Sequence, residues 1–133
     1  MLNVKQVVCS VIIKDNKVFV SQRGYGKYKG KWEFPGGKFD SALDASLEET
    51  VVREIREELD TQVKVIDQFN KVEFESQDSL FVLNFFRCEL VGKEPVLLEH
   101  LDAKWVGADE IDALDWLDGD RVVLDDIKKF LNK

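Results

Sequence analysis

The run Arg53-Glu54-Ile55-Arg56-Glu57-Glu58 puts three carboxylates where a helix would gather them. At about 100° of rotation per helical residue, Glu54, Glu57 and Glu58 fall within roughly a 100° arc, and residues three or four apart are surface neighbours, about 5–6 Å between Cβ atoms. Like charges held that close disfavour a helix unless something cationic relieves them. Hard divalent cations such as Mg²⁺ take oxygen ligands, often a few carboxylates together with substrate phosphates. A metal site on a helix face therefore accounts for the cluster. A solvated acidic face is the alternative for the three glutamates taken alone.

The residues upstream favour the metal site. Trp32-Glu33-Phe34-Pro35-Gly36-Gly37-Lys38 reads as a strand end running into a Gly-Gly turn, and the glutamate helix follows about a dozen residues later. Paired glycines let the backbone approach a ligand or expose a carbonyl. Lys38 sets a cation beside the phosphates such a site would hold.

Loop and helix together resemble the Nudix hydrolases, whose pattern is G-x5-E-x7-R-E-U-x-E-E-x-G-U with U a bulky aliphatic residue, usually preceded by a strand ending in an E-F-P-G-like sequence. The likeness runs through the box and its approach from Val18, with weaker echoes to the C-terminus. It is nearest to the short nucleoside-triphosphate branch, which includes antimutator enzymes that clear oxidised guanine nucleotides. The resemblance implies an α/β/α sandwich with a mixed sheet between helices, occupying residues 1–133 as one domain. It implies Mg²⁺-dependent hydrolysis of a nucleoside triphosphate, such as 8-oxo-dGTP or a CTP-like nucleotide, to the monophosphate and pyrophosphate. Mn²⁺ is the alternative metal.

The same resemblance assigns roles by position. Glu54, Glu57, Glu58 and the Gly36 carbonyl would be metal ligands, joined by Glu99, an acidic loop residue six positions before Trp105. Glu54 or Glu99 would take the proton of the attacking water, and Arg53 would orient and neutralise the glutamates. Arg23 matches a site of substrate contact, and the position of Asp120 faces the nucleobase. Asp120 also reads as the N-cap of a helix running to Leu131. Both readings stay open at this level.

The box is altered in three places. Counted from Gly37 the family's loop Glu falls on Leu43, counted back from Arg53 it falls on Ala45, and the box's closing Gly is Asp60. The two counts disagree because the Gly-to-Arg spacing is two residues longer than the pattern. Asp40 or Asp44 is the available substitute carboxylate. These departures leave two rivals to the triphosphatase reading: hydrolysis of another nucleoside diphosphate derivative, and a weakly active or non-catalytic nucleotide-binding domain.

A net charge of −7 argues against holding DNA or RNA along the surface, since that binding rests on phosphate neutralisation by Lys and Arg. It leaves room for a small nucleotide, because bound divalent cations invert the local potential. No apolar run approaches the roughly 18–20 residues of a membrane span. Cys9 and Cys88 lie in apolar runs and read as buried free thiols of a reducing compartment, so a cytoplasmic monomer or homodimer is expected.

The elements that must position these groups are legible from their periodicity. Val7–Lys14 and Val18–Gln22 read as strands about an Asp15-Asn16-Lys17 turn, and Gln62–Phe74 and Ser79–Leu90 as a hairpin connected through residues 75–78. Ser46 and Glu49 form an S-x-x-E capping box. Leu47, Val51, Val52, Ile55 and Leu59 give the following helix an apolar arc beside its glutamates. Ala103–Val106 reads as a further short strand, and His100 as a surface or loop histidine.

Overall fold

The computed structural model describes residues 3–98 and 100–131. The apolar run near the N-terminus becomes the central strand β1 (Asn3–Lys14), flanked by β2 (Lys17–Gln22) across a tight turn. Asp15 and Asn16 both take left-handed φ, 52° and 63°, the pattern of a two-residue hairpin turn whose twist matches its strands. The chain then forms β3 (Trp32–Glu33), β4 (Gly36–Lys38), helix α1 (Leu47–Leu59), the long hairpin β5 (Val63–Ser76) and β6 (Ser79–Leu90), and β7 (Asp102–Val106). A 3-10 turn at Ile111–Ala113 leads to the short helix α2 (Asp118–Arg121) and to α3 (Leu124–Leu131).

The strands make one mixed sheet in the order β3-β2-β1-β6-β5, with β4 added to β1 and β7 to β2. β1 and β6 run parallel and the other pairs antiparallel. Helices cover both faces, which is the α/β/α sandwich expected. On one face Val51, Ile55 and Leu59 of α1 pack with Val8, Ile12, Phe19 and Phe86. On the other, Trp116, Val123, Leu124, Ile127 and Leu131 pack with Cys9, Val11 and Phe85. Each fully buried aliphatic of α1 contributes about 1.5–3 kcal/mol, so the three together fix the helix's rotation about its axis.

Several boundaries differ from the sequence reading. Gly36–Lys38 is itself a strand rather than a turn, because it pairs with Val7–Cys9 of β1. A Cβ on Gly36 would overlap the Val8 carbonyl oxygen, so only glycine permits that approach. The β5–β6 hairpin closes through Gln77 and Asp78 alone, with Gln77 at φ 55°. The C-terminal helix is broken into α2 and α3, and Asp120 sits inside α2 rather than capping a helix to Leu131. Cys9 and Cys88 are buried free thiols, as expected.

Candidate active site

Helix α1 begins as its capping box requires: the Ser46 hydroxyl accepts the Glu49 backbone N–H at 3.2 Å. It ends on Asp60 in the left-handed region, φ 49° and ψ 44°, whose N–H donates to the Arg56 carbonyl. Asp visits that region at modest cost because its short polar side chain can bond locally, so the helix stops where the family's glycine would stop it.

Arg53 organises the acidic face. Its Nε and Nη2 donate to the two carboxylate oxygens of Asp44, each at 2.9 Å. Its Nη1 donates to Glu54 at 3.0 Å and to Glu57 at 3.1 Å. The Asp44 carboxylate, only 2% exposed, also accepts the Thr50 hydroxyl at 2.9 Å. Hydrogen bonding from Arg53 is the main cause that holds Asp44 down to about 2, with Thr50 helping and desolvation opposing. Of the two acids the sequence offers in this loop, Asp44 is the one that reaches the Arg53 guanidinium. Asp40 instead turns inward on its own loop, its carboxylate accepting the Ala42 N–H at 2.9 Å.

Glu54 lies against the Gly37 backbone, where a Cβ would overlap its carboxylate. Burial pushes its pKa up, with Arg53 opposing and the neighbouring Glu57 adding to the rise. Glu57 is 57% exposed, and Glu58 is half-buried on the same helix. Among the described residues no three acidic, His or Cys side chains are grouped so as to hold a metal ion; Glu54 and Glu57 pair with Arg53 instead. The donor set still suits a hard divalent cation, being all oxygen and anionic. The cradle at Gly37 brings the backbone of β4 into contact with it. Lys38, next in that strand, is exposed.

A second charged cluster lies at the far end of β2 and β3. Arg23 donates to Glu33 through Nη2 at 2.6 Å and through Nε at 3.2 Å. Asp120 is buried, and its Oδ2 accepts the Phe34 backbone N–H at 2.9 Å. Its carboxylate therefore caps no helix; it is spent across the fold, 86 residues away in sequence. Burial raises its pKa to about 7, the Phe34 bond opposing and Glu33 adding. His100 belongs to this cluster rather than to the surface, with Nε2 at 3.9 Å from Glu33 and a side chain 7% exposed.

Glu33 and Thr50 are the residues that sequence reasoning passed over. The signal for Thr50 was available, since it lies three residues before Arg53 on the capped helix, whereas nothing in spacing joins Glu33 to Arg23. The expectation for Glu99 lies outside the described residues. Of the basic loop residues besides Arg23, Lys31 pairs with Asp115 at 2.8 Å. A groove of about 740 Å³ is lined by Gln6, Phe39, Gln68 and Asn84 among others and includes none of the α1 glutamates.

Comparison with known proteins bears on the family and the fold. The NUDIX domain family model matches residues 4–127. The chain is 32% identical over 99% of its length to "Putative 8-oxo-dGTP diphosphatase 2" of Mycobacterium tuberculosis, covering 93% of that protein. It is 39% identical over a shorter stretch, 45% of this chain and 44% of the relative, to the CTP pyrophosphohydrolase of Escherichia coli. The solution structure of the DNA mismatch repair protein MutT, a Nudix hydrolase of methicillin-resistant Staphylococcus aureus, superposes with a TM-score of 0.78 at 30% identity, over 98% of this chain and 99% of that one. With the family model spanning nearly all of a chain whose loop and helix carry the altered box, the protein belongs to the Nudix family.

Proposed function

We propose that this Nudix enzyme hydrolyses a nucleoside triphosphate bearing an exocyclic amine, of the oxidised-guanine or cytosine kind, to the monophosphate and pyrophosphate. Relatives named 8-oxo-dGTP diphosphatase and CTP pyrophosphohydrolase support the reaction class. The observation that carries the reading is the Arg53 assembly, in which Asp44, Glu54 and Glu57 share one guanidinium beside the Gly37 backbone. It supports turnover, since the altered loop still brings a carboxylate to Arg53.

Members of the family generally use divalent metal ions. In this reading Glu54, Glu57, Glu58, the Gly36 carbonyl and Glu99 would hold Mg²⁺, or Mn²⁺ in its place. When bound, the metal polarises phosphate oxygens and lowers the pKa of a coordinated water. The protein's own groups do the rest. Glu54 or Glu99 accepts the water's proton as the water oxygen bonds to phosphorus and the bridging P–O bond breaks. Arg53 keeps Glu54 and Glu57 apart from one another's charge and aimed at the loop. Lys38 and Arg23 neutralise phosphate oxygens. Asp120 accepts the exocyclic amine of the base, an interaction that favours its charged form and so draws its raised pKa down.

The small-molecule substrate, a cytoplasmic location and a monomeric or dimeric state belong to the same reading, as does one domain over residues 1–133. No helix among the described residues is long and apolar enough to cross a membrane. The test is a panel of nucleotides, 8-oxo-dGTP, dGTP, CTP, UTP and ATP, incubated with Mg²⁺ while phosphate and pyrophosphate are both measured. Pyrophosphate release greatest for 8-oxo-dGTP or CTP is expected. Release of phosphate alone, or none with any nucleotide, overturns the reading.

A further inference from the structure

Arg23 and Asp120 come from opposite ends of the chain, yet consecutive residues of one short segment hold them both. The Glu33 side chain grips Arg23, and the Phe34 backbone N–H grips Asp120. Glu33 is itself held by β3, where it pairs with Ser21 of β2. Its side chain is 12% exposed and that of Arg23 is 28% exposed.

A half-buried carboxylate is an adverse neighbour for a polyphosphate, so its presence here calls for a compensating use. Of the five N–H donors of a guanidinium, Arg23 commits those on Nε and one on Nη2 to the fork with Glu33. Among the described residues Nη1 donates to none. A two-point fork stops the guanidinium rotating in its own plane and orients its remaining edge. Without the fork Arg23 is a flexible cation beside the exposed Tyr25 ring, 5.7 Å from its centroid.

We propose that Glu33 is the positioning residue for substrate binding, fixing Arg23 so that its Nη1 edge meets a phosphate oxygen of the nucleotide. The proposal rests on the nucleotide reading given above. Glu33 touches neither the reacting phosphorus nor the attacking water, so it governs how tightly substrate is held rather than how fast the held substrate reacts.

The test is a cycle of Glu33→Gln, Arg23→Ala and the double variant, each with KM, kcat and a thermal melt on the best nucleotide. Gln keeps the shape and one acceptor but not the charge. Glu33→Gln is expected to raise KM about tenfold while kcat stays within about threefold. In the Arg23→Ala background the same change should leave KM unmoved, because the group it positions is gone. Additive effects on KM, or a lower melting temperature with KM unchanged, overturn the proposal. Should Glu33→Gln melt below the assay temperature, Glu33→Asp keeps the charge, shortens the reach and must show the same split. If the wild type turns over no nucleotide, the functional reading fails on its own. Calorimetric affinity for CTP or GTP in the same cycle then still decides the role of Glu33.

Discussion

The protein holds two arginine-centred charge clusters, and they are built in opposite ways. Around Arg53 the partners are local: Asp44, Glu54 and Glu57 lie within nine residues of it in sequence. Around Arg23 the cluster is assembled between elements: Glu33, ten residues away, comes from β3, and Asp120 reaches the same segment only across the fold. The electrostatics are opposed as well. Asp44, pinned by Arg53, is held down to about 2, whereas Asp120, buried and accepting a single N–H, is lifted to about 7. Asp44 is met by a strong cation that keeps it charged, and Asp120 is left with its charge incompletely compensated. The first arrangement suits chemistry on phosphate, the second suits recognition.

The largest expected effect lies in the first cluster. Glu57→Gln should lower kcat by about a hundredfold or more, as loss of a metal ligand does, with the melting temperature nearly unchanged because Glu57 is largely exposed. Turnover beside a thermal melt checks this. Near-normal activity in a folded variant would remove Glu57 from the site and leave Arg53 as a structural tie only.

Asp44→Asn should cost about 10–100-fold in kcat/KM, the usual consequence of losing a group that orients ligands from behind. It also carries a pH signature. A carboxyl whose folded pKa is depressed contributes stability that is present above its unfolded value, about 3.9, and is lost as pH falls towards about 2. Melting temperature against pH should therefore lose part of its acid-side slope in Asp44→Asn. An unchanged slope would mean that the ion pair contributes nothing in solution.

In the second cluster Asp120→Asn should change specificity more than rate. The ratio of kcat/KM for GTP to that for UTP is expected to fall about tenfold, since only guanine offers an exocyclic amine and an unpaired buried partner costs about 1–3 kcal/mol. The pH signature is reversed. A carboxyl whose folded pKa is raised loses stability as pH rises from about 3.9 through about 7, because the unfolded chain releases the proton first. The melting temperature of the wild type should fall relative to Asp120→Asn across that window. A flat difference between the two proteins, with an unmoved GTP:UTP ratio, would leave Asp120 as a structural tether to Phe34 alone.

What could be read from the chain itself follows from locality. The capped helix Leu47–Leu59, its apolar arc and its glutamate face depend on spacings of three and four residues, and a single sequence carries those intact. The longer strands were legible from their apolar runs, but β4 was not, because Gly36–Lys38 becomes a strand only by pairing with β1. The substitute for the missing loop glutamate was narrowed to Asp40 or Asp44 but not chosen. The choice turns on the path of the loop, which bonds Asp40 to its own backbone and delivers Asp44 to Arg53. The split of the C-terminal helix into α2 and α3 was likewise invisible, because Asp120 is a respectable N-cap by residue type. Its competing partner, the Phe34 N–H, exists only once β3 is laid beside that segment. Local chemistry determined the glutamate helix. The Arg23 cluster was decided by the sheet, since residues 23, 33 and 120 meet only where β2, β3 and the C-terminal segment converge.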